Sequence, residues 1–225
     1  MDAAILNQLL KDRAAKRPVV LATRLSDAFQ KLLYHTDTDE KNILVKAALE
    51  VLAADKSRVA EVEGEEWFLN AFNPPLRLIL VGAVHIAQPL TRIATIAGYD
   101  VTVIDPRTAF ASTDRFPDVT LITDWPDEAM AALAPDARTA VVTLTHDPKL
   151  DDPALKAALA SPCFYIGALG SKKTHGARRE RLAAAGFSDE AFARIHGPVG
   201  LSIGAKSPAE IAISIMAEIT EVLRT

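Results

Sequence analysis

Only one cysteine, Cys163, stands among the 225 residues, so neither an internal disulfide nor a CxxC metal cluster can form, and this usage suits a reducing compartment. Aromatic residues make up 6% of the chain. The core must therefore be built from aliphatic side chains and alanine, as where helices pack on a sheet. Positive charge is not in excess: 25 lysines and arginines stand against 29 acids, a formal net charge of -4. That balance disfavours a general nucleic-acid binder. No apolar run reaches the length of a membrane span, and the longest, Leu76 to Ala83 and Ala140 to Leu144, have strand length. The opening MDAAILNQLLKDRAAKRP is amphipathic with an early acid, unlike an export signal. These absences predict a cytoplasmic protein with neither nucleic acid nor membrane as partner.

With 49% apolar residues the chain can still bury a sizeable core, arranged as one large domain or a small one plus a medium one. Residues 1–73 read as a small α+β domain. Ile5, Leu6, Leu9 and Leu10 recur at helical spacing until Pro18, and a strand follows from Val19. A second helix is expected after Asp37, with Asp37 as its cap and Glu40 three residues on; Ile43, Leu44, Ala47, Ala48, Val51 and Leu52 supply its apolar face. Gly64 marks a hairpin between Ser57–Val62 and Trp67–Ala71. Asn73, Pro74 and Pro75 form a stiff junction.

Residues 74–225 alternate strand with helix, the pattern of a parallel sheet covered on both faces. The predicted fold class is α/β, a Rossmann-like doubly wound sheet. Strands are expected at 77–81, 101–104, 119–123, 139–144 and 164–166, and helices at about 84–97, 127–133, 153–159, 175–185 and from Ser207 to about Arg224. Gly98 and Gly186 stand where two helices should stop, Asp152 with Pro153 reads as a helix start, and Ser207, Pro208 and Glu210 as another.

Four segments carry candidate chemistry. In LILVGAVHIAQ a strand runs through Gly82 and Ala83 toward a helix, and Asp105 stands 23 positions after Gly82, where a Rossmann fold binds a ribose hydroxyl. The dinucleotide fingerprint is broken, however, because Val84 occupies the place of its second glycine, so NAD(H) has only weak support. In TLTHDPKLDD, His146 and Asp147 follow the fourth strand. A strand order of 3-2-1-4-5 sets that loop across the crevice from His85; a plain Asp-Pro turn is the competing reading of His146. In YIGALGSKKTHGARRERL, Gly167, Gly170 and Ser171 offer donors, and Lys172, Lys173, Arg178 and Arg179 can neutralise an anion; for Arg179 and Arg181 a solvated helix face competes. In RIHGPVGLSIGAKSPAEIA, His196 precedes Gly197, Gly200 and Gly204 in a loop that must pass close to a ligand or to another backbone. The five histidines show no HExxH or HxH spacing, and Cys163 reads as a core filler. No GxSxG elbow is present, so acyl-transfer hydrolysis has no support.

The motifs GAVHIAQ, VTVIDPR, RFP, THDPKLDDPAL, YIGALGS, RIHGPVGLSIGA and SPAEIA, in this order from about Pro75 to Ile219, resemble the XdhC/CoxI family of xanthine dehydrogenase accessory proteins. The resemblance implies a C-terminal Rossmann domain that binds molybdenum cofactor (molybdopterin) as cargo. It also implies sulfuration of that cargo with a cysteine desulfurase and delivery to an apo molybdenum hydroxylase, with no turnover reaction of the chain's own. A homodimer is expected by analogy with Rossmann domains that pair through an apolar C-terminal helix. Carried over by position, the family's loops fall on Gly82, His85, Asp105, Arg107, His146, Asp147, Gly167, Gly170, Ser171, His196, Gly200 and Gly204, and the loop neighbours Ala83 and Lys172 join them as candidate cofactor-binding residues. The family's GS-x-PR element and cysteine-bearing GGC-type segment have no counterpart in residues 1–72. An NAD-dependent oxidoreductase using the same crevice, or a scaffold without ligand, are the competing readings.

Overall fold

The computed structural model describes residues 2–34, 36–37 and 42–225. The chain divides into two compact units, Met1–Pro74 and Pro75–Thr225.

The first unit contains α1 (Ala3–Ala14), β1 (Val19–Arg24), β2 (Gln30–Tyr34), α2 (Ile43–Ala54), β3 (Arg58–Val62) and β4 (Glu65–Phe72). Its four strands form an antiparallel sheet in the order β2-β1-β4-β3. Alternation along β1 sends Val19 and Leu21 to one face with Leu9 of α1, and Val20 and Ala22 to the other with α2. The hairpin turns on Glu63 and Gly64, both left-handed (φ 54° and 80°), the geometry that a two-residue turn between twisted strands requires. The cap of α2 differs from expectation. It is Asn42, whose Oδ1 accepts from the Leu44 and Val45 amides at 3.1 and 3.3 Å. Asp37 instead accepts from the Tyr34 amide at 2.8 Å, which closes the end of β2; Glu40 lies outside the described residues.

The second unit contains β5 (Leu76–Val81), α3 (Ala87–Ile96), β6 (Tyr99–Ile104), β7 (Thr120–Ile122), α4 (Pro126–Leu133), β8 (Thr139–Thr143), α5 (Pro148–Leu159), β9 (Tyr165–Ala168), α6 (Lys172–Ala184), α7 (Asp189–Phe192), β10 (Ile195–His196) and α8 (Pro208–Arg224). All strand pairs are parallel and the order is β10-β9-β8-β5-β6-β7. Counted from β5 this is 3-2-1-4-5-6, the doubly wound Rossmann order. Both faces are covered: Leu78 and Leu80 pack with α3 and α8, while Ile79 and Val81 pack with α4 and α5. Hence, after Arg77, β5 reads as a continuous apolar run, Leu78 to Val81, instead of an alternating one.

Helix boundaries move where tertiary partners compete. The fifth helix starts at Pro148, capped by Asp147, whose Oδ1 accepts from the Lys149 amide at 2.9 Å. Asp152, the expected cap, is instead held by Arg181 through bonds of 2.6 and 3.0 Å, and the helix runs on through Pro153. Ser171 caps α6 three residues earlier than expected. At α8 the expected capping box is present: Ser207 Oγ accepts from the Glu210 amide, and Glu210 Oε2 accepts from the Ser207 amide.

Candidate functional site

In a doubly wound sheet the loops at the carboxyl ends of the strands form the ligand face. Here the ends lie in register, Val81 beside Ile104 and Thr143, and Thr143 beside Ala168. The loop after β5 begins at Gly82, with φ +114°; a Cβ there would lie 2.5 Å from Thr145 Cγ2. The absent side chain is therefore explained by the approach of the loop after β8. The next amide, Ala83, donates to Asp105 Oδ2 at 2.8 Å. Asp105 has no exposed surface and also accepts from the Arg107 amide, Nε and NH2 at 3.0, 2.9 and 2.7 Å. Burial alone would raise its carboxyl, but these donors more than offset that and hold it below the usual carboxylate range. Asp105 thus faces inward, tying the loops after β5 and β6 together, where the sequence placed it at a ribose.

Arg107 is the half-exposed partner. Its guanidinium lies 4.7 Å from the Phe110 ring centroid. The hydrogen bonds it donates to Asp105 raise it above its ordinary range against the opposing burial, and the charges of Asp105, Asp147 and Asp151 act in the same direction. Across from it, the loop after β8 is organised by Asp151, which is 1% exposed. Asp151 accepts from Thr145 Oγ1 at 2.6 Å, from the Thr145 amide at 3.3 Å and from the His146 amide at 3.1 Å. These bonds hold His146 in the left-handed region (φ 63°) with its side chain exposed. Asp147 is committed to capping α5, and His85 is exposed at the turn before α3.

The loops after β9 and β10 enclose a cleft of about 600 Å³. Leu169, Gly170 and Lys172 border it from the loop after β9 and the start of α6; residues 198–205 border it from the loop after β10; Ile211 and Ser214 of α8 complete it. Among the described residues Lys172 is the one charged side chain on its wall, and beside it Ser171 accepts from the Thr174 amide as the α6 cap. The glycine-rich loop rests directly on α8. Its Gly200 (φ 93°) sits where a Cβ would collide with Ser214 Oγ, the Leu201 amide donates to the Ser214 carbonyl at 3.2 Å, and the Gly200 amide donates to Glu218 Oε2 at 2.8 Å. A pocket of about 620 Å³ also occurs in the first unit, beside Trp67. Of its two cations, Arg24 is already taken by Asp27 and Glu65 at 2.7 and 2.9 Å, Lys31 lies over the Trp67 ring at 5.7 Å, and Glu63 and Glu65 share the wall, so the pocket offers less to an anion.

Residues 78–219 match the XdhC Rossmann domain family. The chain belongs to the XdhC family. It is 34% identical over 160 residues to the molybdenum cofactor insertion chaperone PaoD of Escherichia coli, over 69% of this chain and 44% of that protein. It is also 34% identical over 155 residues to a Bacillus subtilis protein named as a probable xanthine dehydrogenase subunit, over 68% and 45% of the two chains. The chain spans less than half the length of the curated relatives it matches. A crystal structure described as a xanthine dehydrogenase from Bacillus halodurans is similar with a TM-score of 0.70 and 26% identity, over 97% of this chain and 63% of that one.

Within this XdhC Rossmann domain the candidate residues separate into three groups. Gly170, Lys172, Gly200 and Gly204 border the cleft, with Ser171 between the first two. Gly82, Ala83, Asp105 and Arg107 form one hydrogen-bonded cluster with the His146 and Asp147 loop against it, and do not border the cleft. Gly167 and His196 are packing positions: a Cβ at Gly167 would strike Val199 and Tyr165. The His196 ring stacks on Tyr165 at 4.7 Å with Nδ1 3.3 Å from Glu218 Oε1. Arg178, expected to face an anion, is 1% exposed. It shares the buried face of α6 with Leu182 one turn later. Arg179 and Arg181 pair with Asp189 and Asp152.

Three residues of structural weight went unnoticed in the sequence: Asp151, Glu218, and Arg178 in its buried role. A signal was present for two of them. Glu218 lies three residues after Ile215 and one before Ile219, on the apolar stripe of α8, and Arg178 lies four before Leu182. A charge on a buried stripe announces a buried partner. Asp151 gave no such signal in its acidic, proline-rich surroundings.

Proposed function

We propose that this XdhC-family chain binds molybdenum cofactor at the carboxyl edge of its second sheet and hands it to an apo molybdenum hydroxylase, with no turnover of its own. The observation that carries the reading is the cleft between Gly170, Lys172 and the 198–205 loop, in a domain whose relative PaoD is named for cofactor insertion. Molybdopterin presents a phosphate and a flat pterin with hydrogen-bonding edges. Lys172 and the amides at the start of α6 suit the phosphate, and the backbone-rich wall suits the pterin edges. The cleft is open, which favours a carrier that must release its load to a partner surface. His85, Arg107 and His146, along the same edge, are the next surface that cargo or acceptor enzyme meets. Sulfuration of the cargo by a cysteine desulfurase, a homodimeric state, a cytoplasmic location and separate domains at 1–73 and 74–225 belong to the same proposal.

The test is retention of molybdopterin by the purified chain on ultrafiltration, read by the fluorescence of the oxidised pterin. Saturable retention that is lost in Gly170→Trp and weakened in Lys172→Glu is expected. No retention, or equal retention by Gly170→Trp, refutes the cleft. An NAD-dependent oxidoreductase is the second reading, and two features stand against it: Val84 replaces the fingerprint glycine, and the Asp105 carboxylate is buried and committed to Ala83 and Arg107. Saturable micromolar binding in an NADH titration would favour it.

A further inference from the structure

We infer that Arg178 is the positioning residue of the cleft, setting from within the protein the mutual placement of the loops after β8, β9 and β10; the inference rests on the reading that cofactor binds there. Its guanidinium meets the loop after β9 directly and the other two through Asp151 of α5 and His175 of α6. NH2 donates to the Leu169 carbonyl on the cleft wall at 3.0 Å and lies 3.8 Å from Asp151 Oδ2. Asp151 in turn gathers the Thr145 hydroxyl and the Thr145 and His146 amides. NH1 lies 3.4 Å from His175 Nδ1. The His175 ring packs against Phe192 at 4.6 Å and fills the space that a Cβ at Gly197 would need, so the glycine-rich loop begins directly on it.

A direct role in holding an anion is ruled out by position, because Arg178 is 1% exposed and does not border the cleft. A purely stabilising role is a poor account as well. The side chains of Asp151 and Arg178 are 2% and 1% exposed, and Arg178 Nε is buried without a hydrogen-bond partner among the described residues. A buried ion pair of this kind is often matched in stability by apolar side chains of similar volume. What apolar side chains cannot supply is a planar fork whose donors meet acceptors from separate elements at fixed angles, and lysine, a single point charge, cannot supply it either.

The decisive variant is Arg178→Met combined with Asp151→Asn, which removes both charges together and keeps one side-chain oxygen to accept from the Thr145 hydroxyl and amide. Thermal melting, amide hydrogen exchange of the ligand-free chain at residues 145–147 and 169–171, and molybdopterin retention are read side by side. The double variant is expected to melt near the wild type, to exchange faster at 169–171, and to retain molybdopterin at least about tenfold more weakly, the effect of losing one well-placed charged hydrogen bond. Arg178→Lys is expected to fold and to share the weakened retention. Wild-type exchange and retention in the double variant, or full rescue by Arg178→Lys, overturns the inference. If the double variant does not fold, Arg178→Lys alone decides. If the wild-type chain retains no molybdopterin, the binding proposal fails, and hydrogen exchange still decides the role of Arg178.

Discussion

Glu218→Ala tests the other anchor of the cleft. The Glu218 side chain is 14% exposed. It accepts from Tyr165 OH at 2.5 Å and from the Gly200 amide at 2.8 Å, with His196 Nδ1 3.3 Å from its second oxygen. Truncation leaves the Tyr165 hydroxyl and the Gly200 N–H without an acceptor in a region where Tyr165 is 1% exposed. At 1–3 kcal/mol for each buried donor left unsatisfied, the loss is about 3 kcal/mol. For a protein of this size that lowers Tm by roughly 6–12 °C. Both donors meet the same Oε2, so Glu218→Gln keeps an acceptor for them and loses only the charge and the oxygen facing His196, at a cost of roughly 1 kcal/mol.

Acid should erase part of the difference. Burial by itself raises the Glu218 carboxyl, but His196, Tyr165 and the Gly200 amide outweigh it and leave the group below its ordinary value. The folded state therefore binds the proton less readily than the unfolded chain. The stabilisation is fully present above the ordinary carboxylate range and is lost as pH falls through the lower folded value. Scanning calorimetry from neutral pH downward should show the wild type converging on Glu218→Gln. A Glu218→Ala protein that melts with the wild type, or a wild-type advantage over Glu218→Gln that widens on acidification, would refute the account.

Three further outcomes follow from the same packing. Gly82→Ala should cost about 3 kcal/mol, combining backbone strain at φ +114° with the contact to Thr145 Cγ2; adding Thr145→Ser should return roughly 1 kcal/mol of it, and a double variant that melts no higher than the single one would show that the contact is not the cause. Asp105→Ala, measured by chemical denaturation, should destabilise by about 2 kcal/mol through the unpaired Ala83 amide and Arg107. Because the Asp105 carboxyl sits below its ordinary range in the fold despite its burial, that penalty should shrink as pH drops below the ordinary carboxylate value, and a penalty constant with pH counts against the ion pair. Cys163 is 5% exposed and burial pushes its thiol up despite the Ser161 hydroxyl beside it. A thiol reagent should modify it only as fast as the protein opens, and rapid labelling of the native chain would contradict its packing.

The amino-acid sequence by itself determined the alternation of strand and helix after Pro75, the hairpin at Gly64 and the capping box at Ser207. Each of these is written in residues a few positions apart, where apolar periodicity, turn conformations and caps operate. Only the tertiary structure decided which polar groups look inward. Ala83 meets Asp105 across 22 positions, Arg181 meets Asp152 across 29, and Tyr165 meets Glu218 across 53. The same long-range competition moved the start of α5 from Asp152 to Asp147, because a carboxylate already held by a distant arginine does not cap the helix beneath it. A charged side chain reads alike in sequence whether it faces solvent or a buried partner. The chain's own folding, by bringing a complementary group close enough to replace water, settles which of the two it becomes.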